Sequence, residues 1–341
     1  MSKTKIETTQ AAVLHAARDI RVENVALPSL GPNDVLIEMR SGGICGSDLH
    51  YYQDGKNGTN TLRSPVILGH EAAGIITDTG SNVNLPKGTA VAIEPGLPCR
   101  ACQTCLDGNE HICPTGRCFG SPPTNGLFAR HVVVPQDRLH ALPAEIAPEL
   151  GALIEPLAVA VWAVTRGNLT PGCSVLVTGA GPIGLLVARV AKIFGAGTVT
   201  IADVDQARLD LARSRGFEHL VLATSQGYDI PTQDRLFECA GAPSALTAGI
   251  YTVGPAGRVV VVGQAAPSVD GIPLGHLQRY EIDLVTSFRS LQSFPTAIEL
   301  VASGQLDIAD IVTAQVDLAQ VESGLNIPTS GEPNLKVLIT Y

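Results

Sequence analysis

The run Ser174-Val-Leu-Val-Thr178 breaks at Gly179-Ala-Gly-Pro-Ile-Gly184 and restarts as an apolar-rich stretch over residues 185–196. A β-branched strand that turns on glycines into a helix is the opening βα unit of a dinucleotide-binding fold. Gly179 permits the tight turn, Gly181 lets the backbone approach a pyrophosphate, and Gly184 lets the helix lie close on the strand. Residues 185–196 supply that helix, whose amide end and dipole favour a diphosphate, and Pro182 and Ile183 in the turn count with the glycines as cofactor-binding residues. Asp203 ends the second strand, Val199-Thr-Ile-Ala-Asp203, 19 residues past Gly184. A carboxylate there accepts hydrogen bonds from an adenosine ribose and repels a 2′-phosphate, which predicts NAD. Arg208, five residues on, is expected to lie over the adenine.

A chain of 341 residues is long for one core, and two domains are expected. The net charge of −9 argues against nucleic acid or an anionic membrane as partner, since both require basic patches. The first ten residues are polar and no 18 apolar residues run together. Neither a signal peptide nor a membrane span is therefore expected, and a cytoplasmic location follows. Thiols in that compartment stay reduced, so the 8 cysteines pose a question of metal binding or packing.

From residue 11 to about 94, short strands alternate with Gly/Pro/Asn turns, predicting an all-β unit with strands at 11–14, 35–39, 72–77 and 89–93. Within it stand Cys45 and, 25 residues on, His70 and Glu71. Thiolate, imidazole and carboxylate are zinc donors, and a catalytic zinc takes three of them and keeps one position open. A buried cysteine and a core histidine are the plainer alternative. Cys99, Cys102, Cys105 and Cys113 follow at C-x2-C-x2-C-x7-C spacing. Four thiols so close predict a closed tetrahedral zinc site that fixes a loop too poor in apolar residues to fold alone. Cys118, Cys173 and Cys239 fit no ligand spacing and read as packing residues.

The stretch Pro148–Val164 reads as an apolar helix broken near Pro156 and carrying Glu155 in its middle. An ionisable group there needs a partner, and a metal is one candidate. Beyond Asp203 helices and strands alternate through residue 288, the pattern of a doubly wound parallel sheet. Gly227 and Pro231 in the crossover after Leu222 leave no room for a full helix. A helix at 296–303 and the final strand are expected to return to the first domain, giving domains 1–157 with 295–341, and 158–294.

Gly43-Ile-Cys-Gly-Ser-Asp-Leu-His-Tyr51, Leu68-Gly-His-Glu-Ala72, Ala92-Ile-Glu-Pro-Gly96, the four-cysteine lobe, Gly151-Ala-Leu-Ile-Glu-Pro-Leu157, the glycine turn and Ser287-Phe-Arg289 together resemble the zinc-containing medium-chain dehydrogenases. The chain looks most like their polyol (sorbitol and xylitol) branch, which carries a glutamate where alcohol dehydrogenases usually place a cysteine ligand, here Glu155. The resemblance implies an α/β protein with a GroES-like β-barrel catalytic domain and a Rossmann domain, assembled as a dimer or tetramer. It implies one catalytic and one structural zinc, with Glu71 or Glu155 completing the catalytic ligand set. The implied reaction is oxidation of a polyol's secondary hydroxyl to a ketose, with hydride transfer to NAD. Ser47 and His50 would relay the proton. Tyr51, Phe119, Glu155 and Arg289 would face the substrate. The rivals are a reductase or dehydrogenase of simpler alcohols, aldehydes or sugar acids, and a nucleotide-binding protein without chemistry.

Overall fold

A computed structural model describes residues 6–225, 227–264, 266, 268–331 and 333–341. The first five residues of the polar N-terminal stretch lie outside these. The chain divides into one unit of residues 1–155 and 307–341, and a second of 156–306.

In the first unit the expected strands form as Thr8–Ala16, Asp34–Gly43, Glu71–Thr79 and Ala90–Ile93, the first three longer than expected and the last one residue shorter. Asp34–Gly43 pairs with Glu71–Thr79 on one side and with His131–Pro135 and the C-terminal strand Lys336–Thr340 on the other. That pairing makes a seven-stranded sheet in which Ile339 lies opposite Gly42 from the other end of the chain. A three-stranded sheet is built on Thr8–Ala16. An apolar core of this unit includes Leu14, Ile37, Met39, Leu68, Ile93, Phe128 and Ile339, all fully buried. The helix Gly46–Asp54 leaves directly from the end of the central strand.

The second unit carries a six-stranded parallel sheet. From one edge its strands run Leu220–Leu222, Thr198–Asp203, Ser174–Thr178, Gln233–Glu238, Val253–Val261 and Asp283–Thr286. Val177 lies opposite Ile201 and Phe237, so the strand that feeds the glycine turn is central and buried. Among the described residues no helix stands between Leu222 and Gln233. Elsewhere the alternation is regular, with helices Pro182–Ile193, Gln206–Ser214 and Pro243–Ile250.

Two expectations need correction. No break occurs at Pro156: a 3₁₀ turn, Gly151–Leu153, feeds an uninterrupted helix, Ile154–Gly167. Pro156 falls in its first turn, where a missing N–H removes no helical hydrogen bond. The helix expected at 296–303 forms as Phe294–Ala302 but belongs to the second unit, not to the returning tail. Its apolar face of Phe294, Ala297 and Leu300 is buried, and the chain re-enters the first unit only at Asp307.

Candidate metal centres and dinucleotide turn

Cys45 is the N-cap of the helix Gly46–Asp54, where the positive helix end favours a thiolate. Asp48 organises its surroundings. One carboxylate oxygen accepts the Cys45 N–H at 3.0 Å, while the other accepts the Gly69 N–H at 3.2 Å and lies 3.7 Å from His70 Nδ1. An acid on the Nδ1 side leaves Nε2 as the free donor of the imidazole. Burial pulls the His70 pKa down, yet Asp48 and Cys45 outweigh it and hold it well above the ordinary value. The same negative groups would favour a cation in the proton's place.

Ligand atoms of Cys45, His70 and Glu71 lie within 4.8 Å of one another. Glu71, however, is already engaged. Both its oxygens are 2.8 Å from Lys336 Nζ, which also donates to the Ile44 carbonyl at 3.2 Å. Lys336 is 3% and Glu71 1% exposed, so this is a buried ion pair with all three ammonium protons used. Burial alone would lower the Lys336 pKa; Glu71 above all, with Cys45 and Glu155, raises it. Glu155, 8% exposed, thus lies within electrostatic reach of the same ammonium. Its segment is fastened by Ser41, whose hydroxyl donates to the Pro148 carbonyl at 2.7 Å and accepts the Ala152 N–H at 3.2 Å.

Sequence reasoning missed Asp48 and Lys336. The signal for the second was present: a lone lysine in the apolar strand Leu335-Lys336-Val337-Leu338-Ile339, where an unpaired charge is not tolerated.

Ser47 and His50 share the helix that begins at Cys45; His50 is exposed, 3.9 Å from Asp54. Tyr51 on the same helix is buried, its hydroxyl bonded to Ser121 and Asn60. Phe119 packs partly buried against the core of this unit.

Cys99, Cys102, Cys105 and Cys113 place their sulfurs within 4.8 Å of one another. Zn–S bonds of about 2.3 Å at tetrahedral angles set sulfurs roughly 3.8 Å apart. Cys102 and Cys113 are 3.8 Å apart, so the cluster fits zinc. The Ala101 N–H, with Thr115 and Cys102, brings Cys99 down to about 6. Burial and the neighbouring thiols push Cys105 up to about 12. A divalent cation is the charge that lets all four be thiolates together. Arg138, 5% exposed, ties this lobe to the sheet through Glu110 at 3.5 Å and Glu94 at 3.3 Å. Of the remaining cysteines, Cys118 and Cys173 are buried as packing residues.

In the second unit each glycine of the turn meets a different demand. Gly179 has φ 94°, a left-handed conformation. A Cβ on Gly184 would overlap the Gly179 carbonyl. Gly181 has no atom within 4 Å of where its Cβ would stand, the open cradle a pyrophosphate requires, and it caps the helix that Pro182 and Ile183 begin. Asp203 does more than await a ribose: its oxygens accept the Ala180 N–H at 2.7 Å and the Asp205 N–H at 3.0 Å. Arg208 is half exposed and 3.9 Å from Asp205. Arg289 belongs to this unit and not to that of the metal residues. It has φ 54° and its guanidinium sits 4.9 Å over the Phe288 ring.

Residues 31–144 match the family described as Alcohol dehydrogenase GroES-like domain, and residues 182–303 match Zinc-binding dehydrogenase. The chain is 37% identical to sorbitol dehydrogenase of Bacillus subtilis over 336 residues, 95% of each protein. It is 38% identical to sorbitol dehydrogenase of Mus musculus over 338 residues, 96% of this chain and 94% of that one. The crystal structure of L-idonate 5-dehydrogenase from Escherichia coli superposes with a TM-score of 0.90 at 31% identity, covering 98% of both chains.

Proposed function

This chain belongs to the zinc-binding medium-chain dehydrogenases, and from that premise we propose that it oxidises a secondary hydroxyl of a polyol, of the sorbitol or xylitol type, to a ketose with NAD as hydride acceptor. The observation that carries the reading is the mixed donor set of Cys45, His70 and Glu71, with the buried Glu155 in electrostatic reach of the lysine that pairs with Glu71, in a chain that also holds a dinucleotide turn. We assign Cys45, His70 and Glu155 as holders of the catalytic zinc and Glu71 as the partner of Lys336. One thiolate and one carboxylate then balance the ion's two charges, while Glu71 and Lys336 cancel each other. The four-cysteine lobe would hold a second, structural zinc.

When bound, zinc supplies a Lewis acid that makes a hydroxyl acidic near neutral pH, and the nicotinamide supplies the hydride acceptor. The chain's own residues move the proton. Ser47 takes it from the substrate hydroxyl, and His50, exposed to solvent, releases it. In the reverse direction the same residues return it. The open edge strand Asp283–Thr286, with Leu284 40% and nearby Phe288 55% exposed, supports assembly as a homo-oligomer. Among the described residues no helix is long and apolar enough to cross a membrane.

The substrate class is tested at Arg289. A guanidinium holding the distal hydroxyls contributes about 1.5–3 kcal/mol, so Arg289→Ala should lower kcat/KM for sorbitol or xylitol by roughly 10–100-fold. The loss on 2-butanol should be much smaller. Equal losses on both, or a wild-type preference for 2-butanol, would replace the polyol with a simple alcohol. Idonate belongs in the same screen. The Escherichia coli neighbour is an L-idonate 5-dehydrogenase, and an arginine can pair with a carboxylate as well as with hydroxyls.

Cofactor choice is tested separately. Asp203 is 8% exposed and Val204 and Asp205 offer no cation, so a 2′-phosphate would meet an uncompensated carboxylate. NAD⁺ should exceed NADP⁺ in kcat/KM by at least about tenfold, some 1.4 kcal/mol. Parity, or a preference for NADP⁺, overturns the assignment.

A further inference from the structure

We propose that Asn60 is a positioning residue for polyol specificity, acting by fixing the hydroxyls of Tyr51 and Ser121 as a directed donor beside the metal centre. Asn60 begins the second strand of a short hairpin, Lys56–Asn57 paired with Asn60–Thr61. The Leu62 N–H donates to the Gly55 carbonyl at 2.8 Å, fastening that hairpin to the end of the helix that starts at Cys45. The side-chain nitrogen of Asn60 lies 3.0 Å from each of three oxygens: Tyr51 Oη, Ser121 Oγ and the Pro122 carbonyl. The two hydroxyl oxygens are 3.1 Å apart.

The orientation of the amide follows from chemistry. A carbonyl can only accept, so the nitrogen of Asn60 must face Pro122. One amide hydrogen serves that carbonyl and the other is shared by the two hydroxyl oxygens. Both hydroxyls therefore accept from Asn60, and the contact between them uses only one of their two hydrogens. One O–H remains, and its direction is set by the other bonds. Without the amide only the contact between the two hydroxyls would remain, and either could be its donor.

The trio also stands where a substrate hydroxyl is needed. Tyr51 follows Ser47 by one helical turn on the helix capped by Cys45. Ser121 follows Gly120, and a Cβ on Gly120 would run into the Gly69 carbonyl, one residue before His70. A polyol offers a second oxygen next to the reacting carbon, which can accept this hydrogen bond. A simple secondary alcohol cannot, and leaves the donor unpaired.

This inference rests on the polyol reading, and the experiment separates the two. Zinc content, thermal stability, kcat and KM are measured for wild type, Asn60→Asp and Asn60→Leu with xylitol, sorbitol and 2-butanol, and again with Tyr51→Phe as background. Asn60→Asp is nearly isosteric and cannot donate to Pro122, while Asn60→Leu removes the polar group. We expect kcat/KM for the polyols to fall about tenfold further than for 2-butanol, chiefly through KM, as the loss of one directed hydrogen bond predicts. On top of Tyr51→Phe, Asn60→Leu should change the polyol value by less than about twofold. Equal losses on all three substrates, or full additivity with Tyr51→Phe, overturn the role of Asn60. A wild type that favours 2-butanol overturns the polyol reading instead.

Discussion

Replacing Lys336 by methionine is expected to destabilise the first unit by about 3–5 kcal/mol, because the change leaves the Glu71 carboxylate buried without its counter-charge. The ammonium is held by three oxygens, and Glu71 accepts from it at 2.8 Å through both of its own. The damage should be specific. In Lys336→Met/Glu71→Gln no charge is stranded, so the double variant should be more stable than Lys336→Met alone. Urea unfolding followed by far-UV circular dichroism reads the effect. Trp162, the one tryptophan, lies in the other unit and supplies an internal control by fluorescence. A loss below about 1 kcal/mol would mean that the pair is not the buried, closed unit described above.

Metal analysis of protein purified without chelators should find two zinc ions per chain with separable roles. Cys45→Ser should lower turnover by at least about 1,000-fold, since a Lewis acid is worth several kcal/mol, while the four-cysteine zinc and the fold persist. Cys102→Ser opens a closed site whose metal is itself folding free energy, so stability and one zinc should be lost first. Arg138 would then hold the lobe only through its ion pairs. One zinc or none in the wild type would sink the two-site assignment.

Local demands were the ones legible in the sequence. Three glycines and an acid at fixed spacing announce the dinucleotide turn because they all lie within one strand-turn-helix-strand unit of the chain. The cysteine lobe is legible for the same reason, all four sulfurs lying within 15 residues of chain. Gly227 and Pro231 likewise pointed to the crossover in which no helix stands among the described residues. What stayed hidden joins distant segments. Glu71 and Lys336 are 265 residues apart, and no spacing rule connects them. Pro156 misled because a proline marks either an interruption or a first turn, and the 3₁₀ entry at Gly151–Leu153 decides between them only once folded. Whether Glu71 or Glu155 meets the zinc could not be read from residue types, since both are glutamates in apolar company. The pairing of Glu71 with Lys336 is what supports the proposed choice of Glu155.

Asp203 constrains how this enzyme can change its cofactor. The carboxylate that would exclude a 2′-phosphate is also the acceptor for the Ala180 N–H, inside the glycine turn itself. A redesign that swaps Asp203 for a small neutral residue removes the repulsion and the brace in one step. Gain of NADP⁺ should therefore come with loosened binding of both dinucleotides, and the successful route needs a second substitution that returns an acceptor to Ala180. At this position a change of coenzyme preference would thus involve the backbone of the turn as well as charge.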